Sequence, residues 1–273
     1  MEETALVTGC SSGIGRATAE LFAEEGWTVY ATSRDPADVA DLAEAGCETA
    51  ELDVTDARDV ERVRDRILEE TGRVDCLVNN AGYAQYGPLE DIPTDRLHEQ
   101  FDVNVYGPHR MVRAVLPTMR EQGEGTIVNV SSISGRVSTP GYGAYAGSKF
   151  ALEAMSDALR AEVEGLGVEV VLVEPGPVET GFRERATESL ENTEFRPEYE
   201  WVYDFFEDRA AVDADSLFAV GPEEVATTIH DAASVSDPDP RYPVGRAAQV
   251  MLLARFLPHR LRDAVYGLVS RLP

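Results

Sequence analysis

Thr4-Ala-Leu-Val-Thr8, followed by Gly9-Cys10-Ser11-Ser12-Gly13-Ile14-Gly15, is the stretch on which the fold turns. The first five residues are apolar or β-branched and read as a strand, and Gly13 to Glu25 carries the spacing of a helix. Glycines at such a junction permit a tight turn and let the backbone approach a pyrophosphate, whose charge then meets the helix N-terminus. A glycine-rich loop alone is equally what an ordinary tight turn needs. Its place directly after an N-terminal strand makes a dinucleotide site the better reading.

Outward from that junction the alternation continues. Thr28 to Thr32 is a second strand, and Asp35-Pro36 opens a helical segment with an N-capping acid and a proline at its first position. Strand character returns at 49–52, 74–78, 125–130 and 167–173, with helical segments over 56–70, roughly 94–122 and 142–165. Nearly continuous apolar strands separated by helices predict an α/β fold. The expected form is one doubly wound, Rossmann-type parallel sheet with helices on both faces. No linker or repeat interrupts the pattern, so residues 1–273 read as a single domain. The rhythm changes after about residue 176. Residues 179–220, rich in acids and aromatics, read as a substrate lid, and 247–271 as an amphipathic, arginine-bearing tail.

Fifty acids against twenty-four basic residues give a net charge of −26, which argues against nucleic acid and against a membrane as partners. A hydrophobic content of 43% is that of an ordinary globular protein, so the acidity belongs to the surface. Lysine is almost absent among the basic residues. That depletion, with so many acids, points to a halophile, whose high-salt cytoplasm screens self-repulsion. The cysteines Cys10, Cys47 and Cys76 form no CxxC or Cys/His grouping and read as reduced core thiols, not metal ligands. The N-terminus runs straight into a strand, so neither a signal peptide nor a membrane span is expected, and the expected location is cytoplasmic.

The single lysine, Lys149, lies four residues after Tyr145 in Tyr-Ala-Gly-Ser-Lys. On a helix these two positions share a face, and a cation beside a phenol favours phenolate. A tyrosine so placed becomes an acid/base near neutral pH. Arginine could not take over the position, because its planar fork is larger and holds its proton.

Five motifs in order then make the chain recognisable: Thr8-Gly9-x3-Gly13-Ile-Gly15, Asn79-Asn80-Ala81-Gly82, Ser132, Tyr145-x3-Lys149, and Pro175-Gly176-Pro-Val178-x-Thr180. Together they resemble the short-chain dehydrogenase/reductase family over about residues 3–180. Cys10-Ser-Ser, Tyr30-Ala-Thr-Ser-Arg34-Asp and Ser148-Lys-Phe-Ala-Leu-Glu153 are most similar to its 17β-hydroxysteroid and retinol dehydrogenase branch.

The resemblance implies a catalytic set of Asn104, Ser132, Tyr145 and Lys149. Tyr145 would exchange a proton with the substrate oxygen, and Ser132 would hydrogen-bond that oxygen where charge develops. Lys149 would lower the tyrosine pKa and hold the nicotinamide ribose, and Asn104, at a break in its helix, would anchor a water relaying protons to Lys149. Ser132, and not Ser131, matches the family spacing of thirteen residues before the tyrosine. The implied cofactor contacts are Gly9, Ser11, Ser12, Gly13, Ile14, Gly15, Ser33, Arg34, Asp53, Val54, Asn80, Ala81, Gly82, Tyr145, Lys149, Pro175, Gly176, Val178 and Thr180. At the end of the second strand the family's discriminating acid aligns with neutral Ser33, and Arg34 follows it, so NADP(H) is favoured over NAD(H). Asp35 is better explained as the helix cap before Pro36. Ser132, Ser134, Tyr142, Tyr86 and Phe182, with Tyr83, Gln85 and Ile133 beside them, imply a largely apolar pocket for a bulky carbonyl or alcohol. In the family, helices spanning about 105–121 and 145–165 pair between subunits, so a homodimer or homotetramer is expected. A dinucleotide-binding sensor without turnover is the alternative class.

Overall fold

The computed structural model describes residues 2–182, 185, 186, 195–204 and 219–269. Seven parallel strands form one sheet in the order β3-β2-β1-β4-β5-β6-β7. They are β1 (Thr4–Thr8), β2 (Thr28–Ser33), β3 (Glu48–Glu51), β4 (Cys76–Asn79), β5 (Gly125–Val130), β6 (Val168–Pro175) and β7 (Arg241–Val244). The helices are α1 (Gly13–Glu24), α2 (Ala57–Glu70), α3 (Thr94–Phe101), α4 (Gly107–Gln122), α5 (Gly143–Glu162), α6 (Pro222–Ser234), α7 (Arg246–Leu253) and α8 (His259–Val269). The doubly wound sheet expected from the sequence is therefore what the chain forms.

Strand periodicity divides the core in two. Ala5, Val7, Val29, Ala31, Cys76, Val78, Val128, Val130, Val171 and Val173 face one way, packing with Phe22 of α1 and Val225 and Ile229 of α6. Leu6, Tyr30, Leu77, Ile127 and Val170 face the other, against Val63 and Ile67 of α2 and Met111 and Val115 of α4. Both faces are dry, as a parallel sheet requires. Cys10, Cys47 and Cys76 are free and buried, and burial pushes the Cys10 thiol up to about 12, which keeps it protonated.

Local signals set the ends. Asp35 and Asp56 each accept a backbone N–H two residues on, capping the 3-10 helix Pro36–Ala43 and α2. The expected long helix over 94–122 is instead α3 and α4 joined by a π-helical turn, Asp102–Tyr106, so Asn104 does sit at a break. The tail forms two helices, with a 3-10 turn at Ala254–Phe256 and then Pro258 between them. Among the described residues no helix is long and apolar enough to cross a membrane. Of the expected lid, residues 183–184, 187–194 and 205–218 lie outside the described residues.

Candidate active site

In a parallel sheet all strands end at one edge, so the loops after β1, β2, β4, β5 and β6 are gathered there. The glycine-rich loop is held against the loop after β4. The Thr8 hydroxyl donates to the Val78 carbonyl (3.2 Å) and accepts from the N–H groups of Asn80 (3.0 Å) and Ala81 (3.1 Å). The Asn80 amide donates back to the carbonyls of Thr8 (2.9 Å) and Gly9 (3.1 Å). Gly9 has φ +74°, a left-handed conformation natural to glycine. At Gly15 a Cβ would lie 2.3 Å from the Gly9 carbonyl oxygen and 2.4 Å from Asn80 Nδ2. No side chain except hydrogen fits at that position.

Above this cradle α1 begins with Ser12 in extended conformation. Its hydroxyl makes no capping bond and the first turn holds no acid, in a chain with fifty acids. The unpaired N–H groups and the positive helix end therefore face outward, as an anion requires. Thr180 closes the far side, its methyl 2.9 Å from where a Gly13 Cβ would stand, and its hydroxyl accepts from the Phe182 N–H (3.3 Å). The cradle fits a dinucleotide pyrophosphate. Ser11 is exposed beside it, and Ile14 packs down onto the first core.

The remaining predicted contacts are distributed as follows. Ser33 ends β2 and is buried, whereas Arg34 is exposed and makes no ion pair among the described residues. Asp35 accepts from the Ala37 N–H (2.9 Å) and so serves the cap. Asp53 binds the Thr55 N–H (2.8 Å) and hydroxyl (2.7 Å) through one oxygen. The Val54 side chain is buried in the second core against Gly107, which leaves its main chain as the part that could meet a cofactor. Gly82 is exposed above Asn80 and Ala81. Pro175 ends β6, the Gly176 N–H donates to the Val244 carbonyl (3.1 Å), and Val178 forms a parallel bridge with Val220.

Tyr145 and Lys149 lie one turn apart on the buried face of α5. A buried ladder holds that helix on the sheet. Asn79 donates to Asn129 (2.8 Å), Asn129 donates to Ser156 (2.8 Å), and the Ser156 hydroxyl donates to the Leu152 carbonyl (2.7 Å). Ser132 starts the 3-10 turn Ile133–Gly135, and its oxygen accepts from the Ser134 N–H (3.1 Å). Ser132 also adjoins the Tyr145 phenol, whose pKa its hydroxyl lowers against the effect of burial. Neighbouring Ser131 is buried against Glu153 and not against Tyr145.

One sequence expectation is changed. Lys149 was to lower the tyrosine pKa. Here burial pushes Tyr145 up to about 12, opposed by the Ser132 hydrogen bond. Burial also takes Lys149 down to about 8, opposed by Glu153. The ammonium nitrogen donates to the Val130 carbonyl (2.8 Å) and stands 5.9 Å from the tyrosine ring centre. Desolvation is the largest cause of both shifts in this geometry. Asn104 is bonded on both sides of its amide. Its amide donates to the Tyr83 carbonyl (2.8 Å) and the Ser148 hydroxyl (3.0 Å), and its oxygen accepts from the Tyr83 N–H (3.1 Å). The side chain thus ties the loop after β4 to α5.

Around Tyr145 lies a third apolar cluster of Ala84, Tyr86, Ala186 and Val202, with Tyr142, Phe182, Tyr199 and Trp201 packed on it. The Tyr86 and Tyr142 ring centres are 4.6 Å apart, and those of Tyr145 and Phe182 are 5.8 Å apart. Sequence reasoning missed two features here. One is the buried network behind Lys149, in which Arg241 bridges Glu153 (3.2 Å) and Glu174 (3.2 Å) and Arg136 binds Glu174 (2.6 Å). Its members come from four separate segments and share no spacing. The other is Arg185, whose guanidinium reaches the Ser12 hydroxyl (3.4 Å) across the mouth of the cradle.

The family model for short chain dehydrogenases matches residues 3–191, which include the cradle, Ser132, Tyr145 and Lys149. The chain belongs to the short-chain dehydrogenase family. It is 38% identical to the uncharacterized oxidoreductase YbbO of Escherichia coli, over 97% of this chain and 94% of that protein. It is 34% identical to the 3-ketodihydrosphingosine reductase of Bacteroides thetaiotaomicron, covering 90% and 89% of the two chains. To human 17-beta-hydroxysteroid dehydrogenase type 1 the identity is 37%, covering 87% and 76%. Among solved structures, a short-chain dehydrogenase from Streptomyces avermitilis superposes with a TM-score of 0.83 at 34% identity, over 99% of this chain and 98% of that one. Serine dehydrogenase complexed with NADP+ superposes with a TM-score of 0.77 at 26% identity, over 90% and 96%. The chain is thus an oxidoreductase of this family with a nicotinamide-dinucleotide fold.

Proposed function

We propose that this short-chain dehydrogenase is an NADP(H)-dependent carbonyl reductase or alcohol dehydrogenase acting on a bulky, apolar substrate. The observation that carries the proposal is the buried Tyr145 phenol, with Ser132 beside it, at the floor of an aromatic cluster and one helical turn from Lys149. Bound in the cradle, the nicotinamide would supply or accept the hydride. Tyr145 holds the proton that the substrate oxygen takes up on reduction, and Ser132 turns its hydroxyl to the same oxygen. The low proton affinity of Lys149 lets it share protons with its surroundings near neutral pH. Asn104 positions α5 against the loop after β4.

Exposed Arg34 after neutral Ser33 supports NADP(H), as does the likeness to an NADP+-complexed dehydrogenase. The aromatic cluster supports an apolar substrate, and two relatives by name act on 3-ketodihydrosphingosine and a 17-beta-hydroxysteroid. Exposed Tyr106, Phe150 and Met155, in or beside α4 and α5, support subunit pairing through those helices. The lysine-poor, acidic surface supports a high-salt cytoplasm as the setting.

The test is NADPH oxidation followed at 340 nm with a panel of long-chain and polycyclic ketones. Turnover is expected with apolar ketones, with loss of at least two orders of magnitude in Tyr145→Phe. Binding of NADPH without oxidation by any carbonyl would favour a sensor, and equal efficiency with NADH would remove the cofactor assignment.

A further inference from the structure

The tail has a charge opposite to that of the rest of the molecule. Residues 246–273 contain Arg246, Arg255, Arg260, Arg262 and Arg271 and one acid, Asp263. They carry +4, which leaves −30 on residues 1–245 of a chain whose total is −26. The same segment exposes apolar side chains. Phe256 is 77% exposed and Leu253 64%, with Leu257, Leu261 and Met251 beside them. Leu253 ends α7, Phe256 and Leu257 lie between the two helices and Leu261 stands near the start of α8, so the exposed apolar side chains fall around the junction of α7 and α8. Arg255, Arg260 and Arg262 alternate with them, and the Arg255 guanidinium lies 5.3 Å from the Phe256 ring centre.

The root of this segment is fixed at the edge of the sheet that carries the site. Ala248 is buried, and its backbone nitrogen would stand 3.3 Å from a Cβ at Gly176. Helix α7 also packs on β7 and on the turn Ile133–Gly135, next to Ser132.

We propose that residues 251–262 form a docking surface for a bilayer with anionic headgroups. The segment presents exposed arginines and exposed apolar side chains together, and such an interface answers both, with an apolar interior under a negative surface. A second copy of this chain would answer the arginines with its acidic body but would leave Phe256 and Leu253 uncovered. The total charge that argues against a membrane belongs to the body. Screening over about 8 Å at physiological salt, or about 3 Å at 1 M, confines electrostatics to the charges nearest the membrane. Docked in this way, the mouth of the apolar site would lie near the phase that dissolves apolar carbonyls. The proposal stands independently of the reductase reading, since binding requires no turnover.

The experiment is vesicle co-flotation of the full chain, at the lowest KCl at which far-UV circular dichroism shows it folded. Vesicles of phosphatidylcholine alone are compared with vesicles containing phosphatidylglycerol. Binding to the anionic vesicles, with little to the neutral ones, is expected. Phe256→Gln with Leu253→Gln should abolish it, and Arg260→Gln and Arg262→Gln should each weaken it roughly fivefold. NADPH affinity and circular dichroism should stay unchanged in all variants, which separates a docking defect from misfolding. Equal binding to both vesicle types, or to neither, would overturn the proposal. So would a tail variant that lowers the oligomeric state in light scattering, because a second copy would then be the occupant. An inactive chain that still floats with anionic vesicles would refute the reductase reading alone.

Discussion

Replacing Lys149 by methionine should make the folded chain more stable at neutral pH. The side chain is only 6% exposed, and its pKa falls from 10.5 to about 8 because burial penalises the ammonium. Between those values the unfolded chain binds the proton that the folded chain has released, so wild-type stability rises with pH across that window. At pH 7.5 the buried cation costs about 3 kcal/mol. Methionine keeps most of the stem and removes the charge. It also loses the bond to the Val130 carbonyl, which offsets about 1 kcal/mol at every pH. Lys149→Met should therefore exceed the wild type by about 2 kcal/mol at pH 7.5 and approach it near pH 10. The measurement is urea unfolding followed by circular dichroism at both pH values in constant KCl, read from midpoints with unchanged slopes. A stability difference that stays flat between pH 7.5 and 10, or a wild type already the more stable at pH 7.5, would refute the reasoning. The same variant should show no turnover.

Gly15→Ala, whose Cβ would meet the Gly9 carbonyl at 2.3 Å and the Asn80 amide at 2.4 Å, should lose about 2 kcal/mol of stability. NADPH affinity measured by fluorescence should fall more than tenfold, and an unaltered affinity would mean that the cofactor does not use this loop. Lys149→Arg retains a cation yet should lose most turnover, since guanidinium is bulkier and does not release its proton; near-normal kcat would contradict the assignment. In molar KCl the chain should keep fold and activity that it loses in low salt, and equal behaviour in both would exclude adaptation to high salt.

The sheet was legible because each strand is a short apolar run flanked by helical spacing, and β1 and β5 coincide with their expected bounds. Register followed from the period of two, which sends Leu6 and Val7 to opposite cores. At the site, the cradle glycines and the Tyr145 to Lys149 spacing could be read because both are local. Burial could not. The spacing of Tyr145 and Lys149 announces their neighbourhood but not the depth that raises one pKa and depresses the other. Asn104 was located at its helix break, yet its partners Tyr83 and Ser148 lie 21 and 44 positions away along the chain. Glu153, Glu174, Arg136 and Arg241 likewise meet only through the packing of α5, β6 and β7.

The bridge between Val178 and Val220 is small, and the Glu179 N–H to Val220 carbonyl and Val220 N–H to Pro177 carbonyl bonds complete it. It brings the point where the chain leaves the sheet edge next to the point where it returns. Whatever lies between is inserted at a closed neck, and a change in its length alters the loop-closure entropy only logarithmically. The seven-stranded platform is therefore insulated from changes in the length of that insertion, while Phe182, Ala186 and Val202 reach back from it onto Tyr145. Exchanging residues 179–219 for the corresponding stretch of a relative is a graft the fold should accept, which would let ligand preference be transplanted while the chemistry stays in place.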